Sequence, residues 1–246
     1  VTISLSGIVL IVGNYGSGKT EVCINLAVHS KRAGAAVSVV DLDLVNPYFR
    51  AREARRLFES MEIEIILPAE HLLQADLPVL VPQVAGQITA SQDLHILDVG
   101  GDDAGATVLA ALADAFQAVD APIRMLQVVN PFRPNTDTVD GCLRTRAAIE
   151  ASSRRQVTGW IGNANLIEET TAAHIAFGAE FMTSLSEASG LAVEFITAPQ
   201  GVLSKMDAPQ LAWPVLPIQR QLVPPWAEAV AVHPALHPDS TMDHKE

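Results

Sequence analysis

The sequence predicts an α/β protein with a doubly wound, mostly parallel sheet flanked by helices, a three-layer architecture. Three observations predict it. Seven short apolar runs alternate with longer stretches of helical periodicity. Most of these runs are unbroken rather than alternating, as strands covered on both faces require. Polar, chemically capable residues recur just after successive runs, where parallel strands present ligands at their carboxyl ends. They fall at 13–20, at Asp41 and Asp43, at 98–103, at 130–135, and at Asn163 and Asn165.

The first run, 7–13 (GIVLIVG), leads into a helix expected near 18–33, with Gly34 behind it as a C-cap. The second, 36–41 (AVSVVD), precedes a helix near 47–60, for which Asn46 supplies an N-cap and Pro47 the first helical position. A third strand is expected at 62–67 (EIEIIL) and a fourth at 94–99 (LHILDV). The helix near 104–118 then takes Asp102 or Asp103 as its cap. Strand 123–130 (IRMLQVVN) is followed by a helix near 136–153 that Thr136 or Asp137 can open. Strand 157–163 (VTGWIGN), a helix near 170–189 and strand 191–197 (LAVEFIT) complete the pattern. Helices of this length between strands mark βαβ units.

Nothing repeats, and no boundary interrupts the chain before about residue 200, so residues 1–232 read as a single domain. Pro199, Pro209, Pro214, Pro217, Pro224 and Pro225 break up any long helix, and about 200–232 reads as a segment wrapping over the domain. Residues 233–246 read as a flexible tail, in which His233, His237 and His244 suit either disorder or a weak metal contact.

A chain of 246 residues, 49% hydrophobic and 18% charged, can bury one large core. Its net charge of -12 opposes a phosphate backbone, so general nucleic-acid binding is not expected. Cys23 and Cys142 are the only cysteines and form no CxxC, which fits a reduced, cytoplasmic setting without a cysteine-built metal site. The run at 7–13 is too short to span a bilayer, and it is read neither as a membrane segment nor as a secretion leader.

Chemistry concentrates in Gly13-Asn14-Tyr15-Gly16-Ser17-Gly18-Lys19-Thr20. An apolar strand runs directly into this G-x-x-x-x-G-K-[ST] loop, and a helix follows at once. Glycines let the backbone turn its N–H groups toward phosphate oxygens, and the helix N-terminus adds partial positive charge. Lys19 would reach the β- and γ-phosphates, the Thr20 hydroxyl would ligate Mg²⁺, and Ser17 fills the loop with one more hydroxyl. Asp98, at the end of its strand, can hold Mg²⁺ through a coordinated water, and the N–H of Gly101 can meet the γ-phosphate. Asp41 and Asp43 approach the same region from another strand end. Asp41 would support the metal shell, and Asp43 would orient or deprotonate the attacking water.

Together VLIVGNYGSGKTE, VVDLDLVNPYFR and ILDVGGDD resemble the P-loop ATPase group of the MinD/ParA partition proteins, the nitrogenase iron-protein type and the CobQ/CobB-like synthases, the SIMIBI class. The resemblance covers residues 7 to about 103 and continues more weakly through LQVVNPFRP and GWIGNANL. It implies a mainly parallel sheet and an ATP held between monomers or at a partner interface, hence a homodimer or a protein partner. It also implies that Asn163 reads the adenine base and that Thr197-Ala198-Pro199 flanks it. Asn14 stands where many members carry a second lysine that reaches the partner's nucleotide. Residues 162–165 (GNAN) lack the Lys and Asp of a guanine-reading [NT]KxD, which favours adenine; turn formation is the plainer role for the two asparagines.

Arg133 is a further cation, suited to transition-state charge, to a partner or simply to solvent. Arg50–Arg56 reads as a solvated basic helix face, or as a partner surface that responds to nucleotide. The function expected is a Mg²⁺-dependent ATPase that switches a protein partner. The alternatives are an ATP-dependent synthase or kinase for a small carboxylate or amine, and a nucleotide sensor without turnover. No second substrate pocket is recognisable in the sequence.

Overall fold

A computed structural model describes residues 3–43, 54–66, 77–90, 92–101, 103–206 and 211–222. Eight parallel strands form one sheet: β1 (Gly7–Val12), β2 (Val37–Leu42), β3 (Glu64–Ile66), β4 (Leu94–Val99), β5 (Ile123–Val129), β6 (Gly159–Gly162), β7 (Val193–Pro199) and β8 (Val215–Ile218). Their order is β3-β2-β4-β1-β5-β6-β7-β8, with β1 between β4 and β5. The chain therefore reverses its direction of travel across the sheet at β1, and a ligand crevice is expected beyond that strand's end.

Alternation along the strands builds the three layers. Val9 and Ile11 join Val22, Ile24, Leu26 and Phe58 on the face covered by α1 (Lys19–Arg32) and α2 (Arg55–Ser60). Ile8, Leu10 and Val12 point the other way, into the layer of α3 (Leu77–Ile88), α4 (Asp103–Ala111) and α5 (Ala113–Gln117). On that same side, α6 (Val139–Ser153) and α7 (Ala172–Ser189) close a third cluster around Trp160, Met182 and Leu185. All seven strands expected from the sequence are present, and the three-layer α/β class holds.

Four details differ. The helix expected near 104–118 divides at Leu112, whose ψ of 3° leaves the helical range. The helix expected to open at Thr136 or Asp137 begins at Val139, because Thr138 is its N-cap and accepts from Gly141 N–H at 3.1 Å. Thr136 instead donates its hydroxyl to the Asn130 carbonyl, 2.8 Å away, and holds the preceding loop. Helix α3 was not expected; it carries Pro82 within it, on an exposed position.

The fourth difference is the segment after residue 200. It does more than wrap the domain: after the short α8 (Gln200–Leu203) it adds β8 to the sheet. Pro217 lies opposite Ala198 on this outer strand, where a missing donor breaks no ladder on the solvent side. The chain is then fastened to α1. Gln221 and Leu222 donate their N–H groups to the two carboxylate oxygens of Glu21 at 2.8 and 3.0 Å, and Gln219 N–H donates to Asn25 at 2.8 Å. The Asn46–Pro47 start, the Asp102 cap, most of the Arg50–Arg56 run and residues 233–246 lie outside the described residues.

Candidate functional site

Residues 13–18 form the loop that joins the end of β1 to α1, and Lys19 and Thr20 open the helix. Three glycines make the turn: φ is +148° at Gly13, +73° at Gly16 and +91° at Gly18. A side chain is strained in that range. Space is short as well, because a Cβ on Gly18 would lie 2.3 Å from Asn163 Nδ2 and one on Gly13 2.6 Å from the Val128 carbonyl. Gly18→Ala is thus expected to destabilise the fold by about 2–4 kcal/mol, from the backbone strain and the displaced Asn163 amide. A chemical-denaturation midpoint equal to the parent's would contradict this.

Lys19 curls back over the loop. Its ammonium donates to the Gly13 and Asn14 carbonyls at 3.1 and 3.2 Å, and the residue is only 7% exposed. Asn14 pins the same loop sideways, donating from Nδ2 to the Pro134 carbonyl at 3.0 Å and accepting from Tyr15 N–H at 2.9 Å. Tyr15 and Gly16 are exposed, and Ser17 is fully buried. Gly101 comes from the loop after β4 and lies against this cradle: a Cβ there would sit 2.8 Å from Lys19 Nζ and 2.9 Å from the Gly13 carbonyl. Gly13, Lys19 and Gly101 therefore share one small space.

The carboxylates converge from the neighbouring strands. Asp41 and Asp98 are cross-strand partners on β2 and β4, both fully buried. Asp43 is 6% exposed, and its N–H donates to Asp41 at 3.0 Å, which turns the chain at the strand end. Burial, and then the Asp41 charge, push the Asp98 carboxyl up to about 7; the Thr20 hydroxyl and Lys19 pull it down, and Asp43 pushes it up again. Thr20 faces Asp98 without giving either carboxylate oxygen a well-formed hydrogen bond. A buried carboxylate in that condition calls for a cation.

Among the described residues no three His, Cys, Asp or Glu side chains form a ready metal cluster. Thr20, Asp98 and Asp41 could supply part of a shell for Mg²⁺, an ion that keeps waters and takes phosphate oxygens for the remainder. Both cysteines are buried free thiols.

Asn163 is placed differently from its expected duty. Its Nδ2 donates to the Ser17 carbonyl at 2.6 Å, and its Oδ1 accepts from the Thr197 hydroxyl at 2.5 Å. The amide therefore ties the ends of β6 and β7 to the glycine loop. Asn165 is committed to its own turn, accepting from Ile167 N–H at 2.5 Å while its carbonyl accepts from Asn130 at 2.9 Å. Pro199 ends β7 and caps α8. Arg133 is half-buried rather than solvated, with its guanidinium 3.7–3.9 Å from the Cβ position of Gly16.

Comparison with solved structures finds this architecture in the signal recognition particle receptor FtsY of Elizabethkingia anophelis in complex with GDP. Identity is 19% and the TM-score 0.55 over 80% of this chain and 58% of that one. The cell division protein FtsY of Thermotoga maritima gives 20% and 0.57 over 80% and 63%. FlhF complexed with GTP and Mg²⁺ gives 16% and 0.53 over 81% and 68%. The fold is that of the P-loop NTPases.

The chain spans less than two thirds of either FtsY structure. No family model matches it, and no curated protein does. These structures are of signal-recognition proteins and FlhF, not partition ATPases, so the resemblance to the MinD/ParA group draws no support from them. No described helix is long and apolar enough to cross a membrane.

Beside the P-loop lies a cavity of about 340 Å³ between α4 and α6 that the sequence did not signal. Its walls come from three separate segments, 12–14, 99–109 and 135–153, so no single spacing in the chain announces it.

Proposed function

We propose that this protein binds Mg-ATP and hydrolyses it slowly, acting as a nucleotide switch on a protein partner. The observation that carries the reading is the Lys19 ammonium held at the P-loop, with Thr20 facing the buried, unsatisfied Asp98. Backbone N–H groups of residues 16–20, the α1 N-terminus and Lys19 would hold the phosphates. Thr20 and Asp98, with Asp41 behind them, would hold the ion, which supplies charge neutralisation between the β- and γ-oxygens.

Asp43 would orient the attacking water or accept its proton. Gly101 and the segment from Asp41 onward would carry the γ-phosphate signal to a partner, or to a second copy of the chain. Residues 162–165 (GNAN), which hold neither the Lys nor the Asp of a guanine-reading [NT]KxD, support adenine over guanine. In this reading Asn163 positions the loop that meets the base, and Pro199 flanks it.

Steady-state phosphate release with ATP alone, set against GTP, tests the proposal. Slow turnover without a co-substrate is expected, with ATP preferred. Asp43→Asn should leave Mg-ATP affinity within about twofold and slow hydrolysis by about 10²–10⁴-fold, the range for losing a general base. A parental rate in that variant removes Asp43 from the mechanism.

A second reading, an ATP-dependent synthase or kinase for a small carboxylate or amine, is favoured by the cavity next to the P-loop. Turnover that appears only when such a compound is added would select it.

A further inference from the structure

The cavity between α4 and α6 has an apolar floor, a polar mouth and a wall shared with the P-loop. Val12, Val99, Leu109 and Ile149 form the floor. The backbone of Gly13, Asn14, Gly100 and Gly101 forms one wall, and Asn135, Thr145 and Arg144 stand on the opposite side. At about 340 Å³ it lies within the range of small-molecule sites and is too small for a docked helix.

Its electrostatics select one sign. On a chain of net charge -12, Arg144 is exposed on α6 and pairs with no carboxylate among the described residues. Among the described residues no acidic side chain lines the cavity. One further buried polar group, outside the residues that line the cavity, shares a face of the sheet with Val12. Gln127 is the cross-strand neighbour of Val12 and shares its face of the sheet; it is fully buried, with neither amide atom hydrogen-bonded.

We propose that this cavity binds a small monocarboxylate with an apolar body, its carboxylate on Arg144 and its hydrocarbon on Val12, Val99, Leu109 and Ile149. The ligand acts as an effector of the P-loop. It would touch Gly13 and Asn14, whose carbonyls hold the Lys19 ammonium, and Gly101, which lies against the same ammonium, with its neighbour Gly100. A ligand that favours one arrangement of these two loops must change nucleotide affinity, and nucleotide must change carboxylate affinity by the same factor. The pocket itself rests on the fold alone; only this coupling rests on the nucleotide reading given above.

The experiment is calorimetric titration of the full chain with butyrate, hexanoate, octanoate and benzoate, first without nucleotide, with hexylamine and hexanol as controls. Saturable one-to-one binding of at least one carboxylate is expected, with the amine excluded. Arg144→Glu should weaken it by about tenfold or more, Arg144→Lys by less, and Ala148→Trp should block it by filling the mouth. Both positions are exposed, so the fold is retained. No saturable binding by any of the four acids, or binding unchanged in Arg144→Glu and Ala148→Trp, overturns the site.

The same titration with Mg-ATP present should move the carboxylate and nucleotide affinities by equal factors, about threefold or more. Equal affinities with and without nucleotide overturn the effector role. So does conversion of the acid to a phosphorylated or condensed product, which would make it a substrate. Repeating the titration with Lys19→Ala separates the two readings, since carboxylate binding should persist there and the coupling vanish.

Discussion

Lys19→Ala is expected to abolish measurable Mg-ATP binding. The ammonium is bound at the mouth of the P-loop by two carbonyls of that loop, at 3.1 and 3.2 Å, and is shielded from solvent. It is already desolvated and oriented, so it meets a triphosphate without the entropy loss of ordering a long side chain. Two charge-assisted hydrogen bonds to phosphate, at about 1.5–3 kcal/mol each, place the loss at about 3–6 kcal/mol, or two to four orders of magnitude in Kd.

Removing the charge also leaves Asp41, Asp43 and Asp98 without the cation that lowers the Asp98 pKa, and so repels phosphate more strongly. Titration with Mg-ATP, beside a nucleotide-free melting curve to show that the fold is intact, checks the prediction. A folded variant that binds Mg-ATP as the parent does would remove the phosphate site.

What could be read from the sequence depended on whether a signal was local. β1, β2, β4 and β5 were legible because a strand covered on both faces must be an apolar run, and the P-loop was legible because its turn demands glycine at fixed positions. Helix α3 and β8 were not, since Pro78, Pro82, Pro214 and Pro217 are local signs of breakage that packing in the folded chain overrides.

Asn163 shows the same limit within the site. Sequence placed it just past β6, which is where it is, but its partner in the P-loop is 146 residues away. That contact, and not the identity of the residue, is what makes it a brace between β6, β7 and the phosphate cradle. Arg133 reads as a solvated loop residue until Gly16 is found beside it, and the cavity near Arg144 has no linear trace at all.

Asp98 makes the second large prediction, because its folded carboxyl titrates near pH 7 while an unfolded one titrates near 3.8. Between those values the folded protein holds a proton that the unfolded chain has released. The stability due to this group is therefore complete below about pH 4, declines as pH rises, and is gone above about 7. Each pH unit is worth on the order of 1.4 kcal/mol for a single group, so the metal-free protein should melt at clearly lower temperature at pH 8 than at pH 5.5. Mg²⁺ needs the ionised carboxylate, so the extra stabilisation by Mg-ATP over ATP in chelator should grow as pH passes through 7.

Asp98→Asn keeps the shape and discards the charge. At pH 8 it should be at least as stable as the parent without metal, with a flattened pH slope, because a buried charge beside Asp41 has been removed. It should also lose the Mg²⁺-dependent part of the nucleotide effect. A variant that is less stable at pH 8 yet keeps its full response to Mg²⁺ would show that Asp98 serves packing and that the ion is held elsewhere.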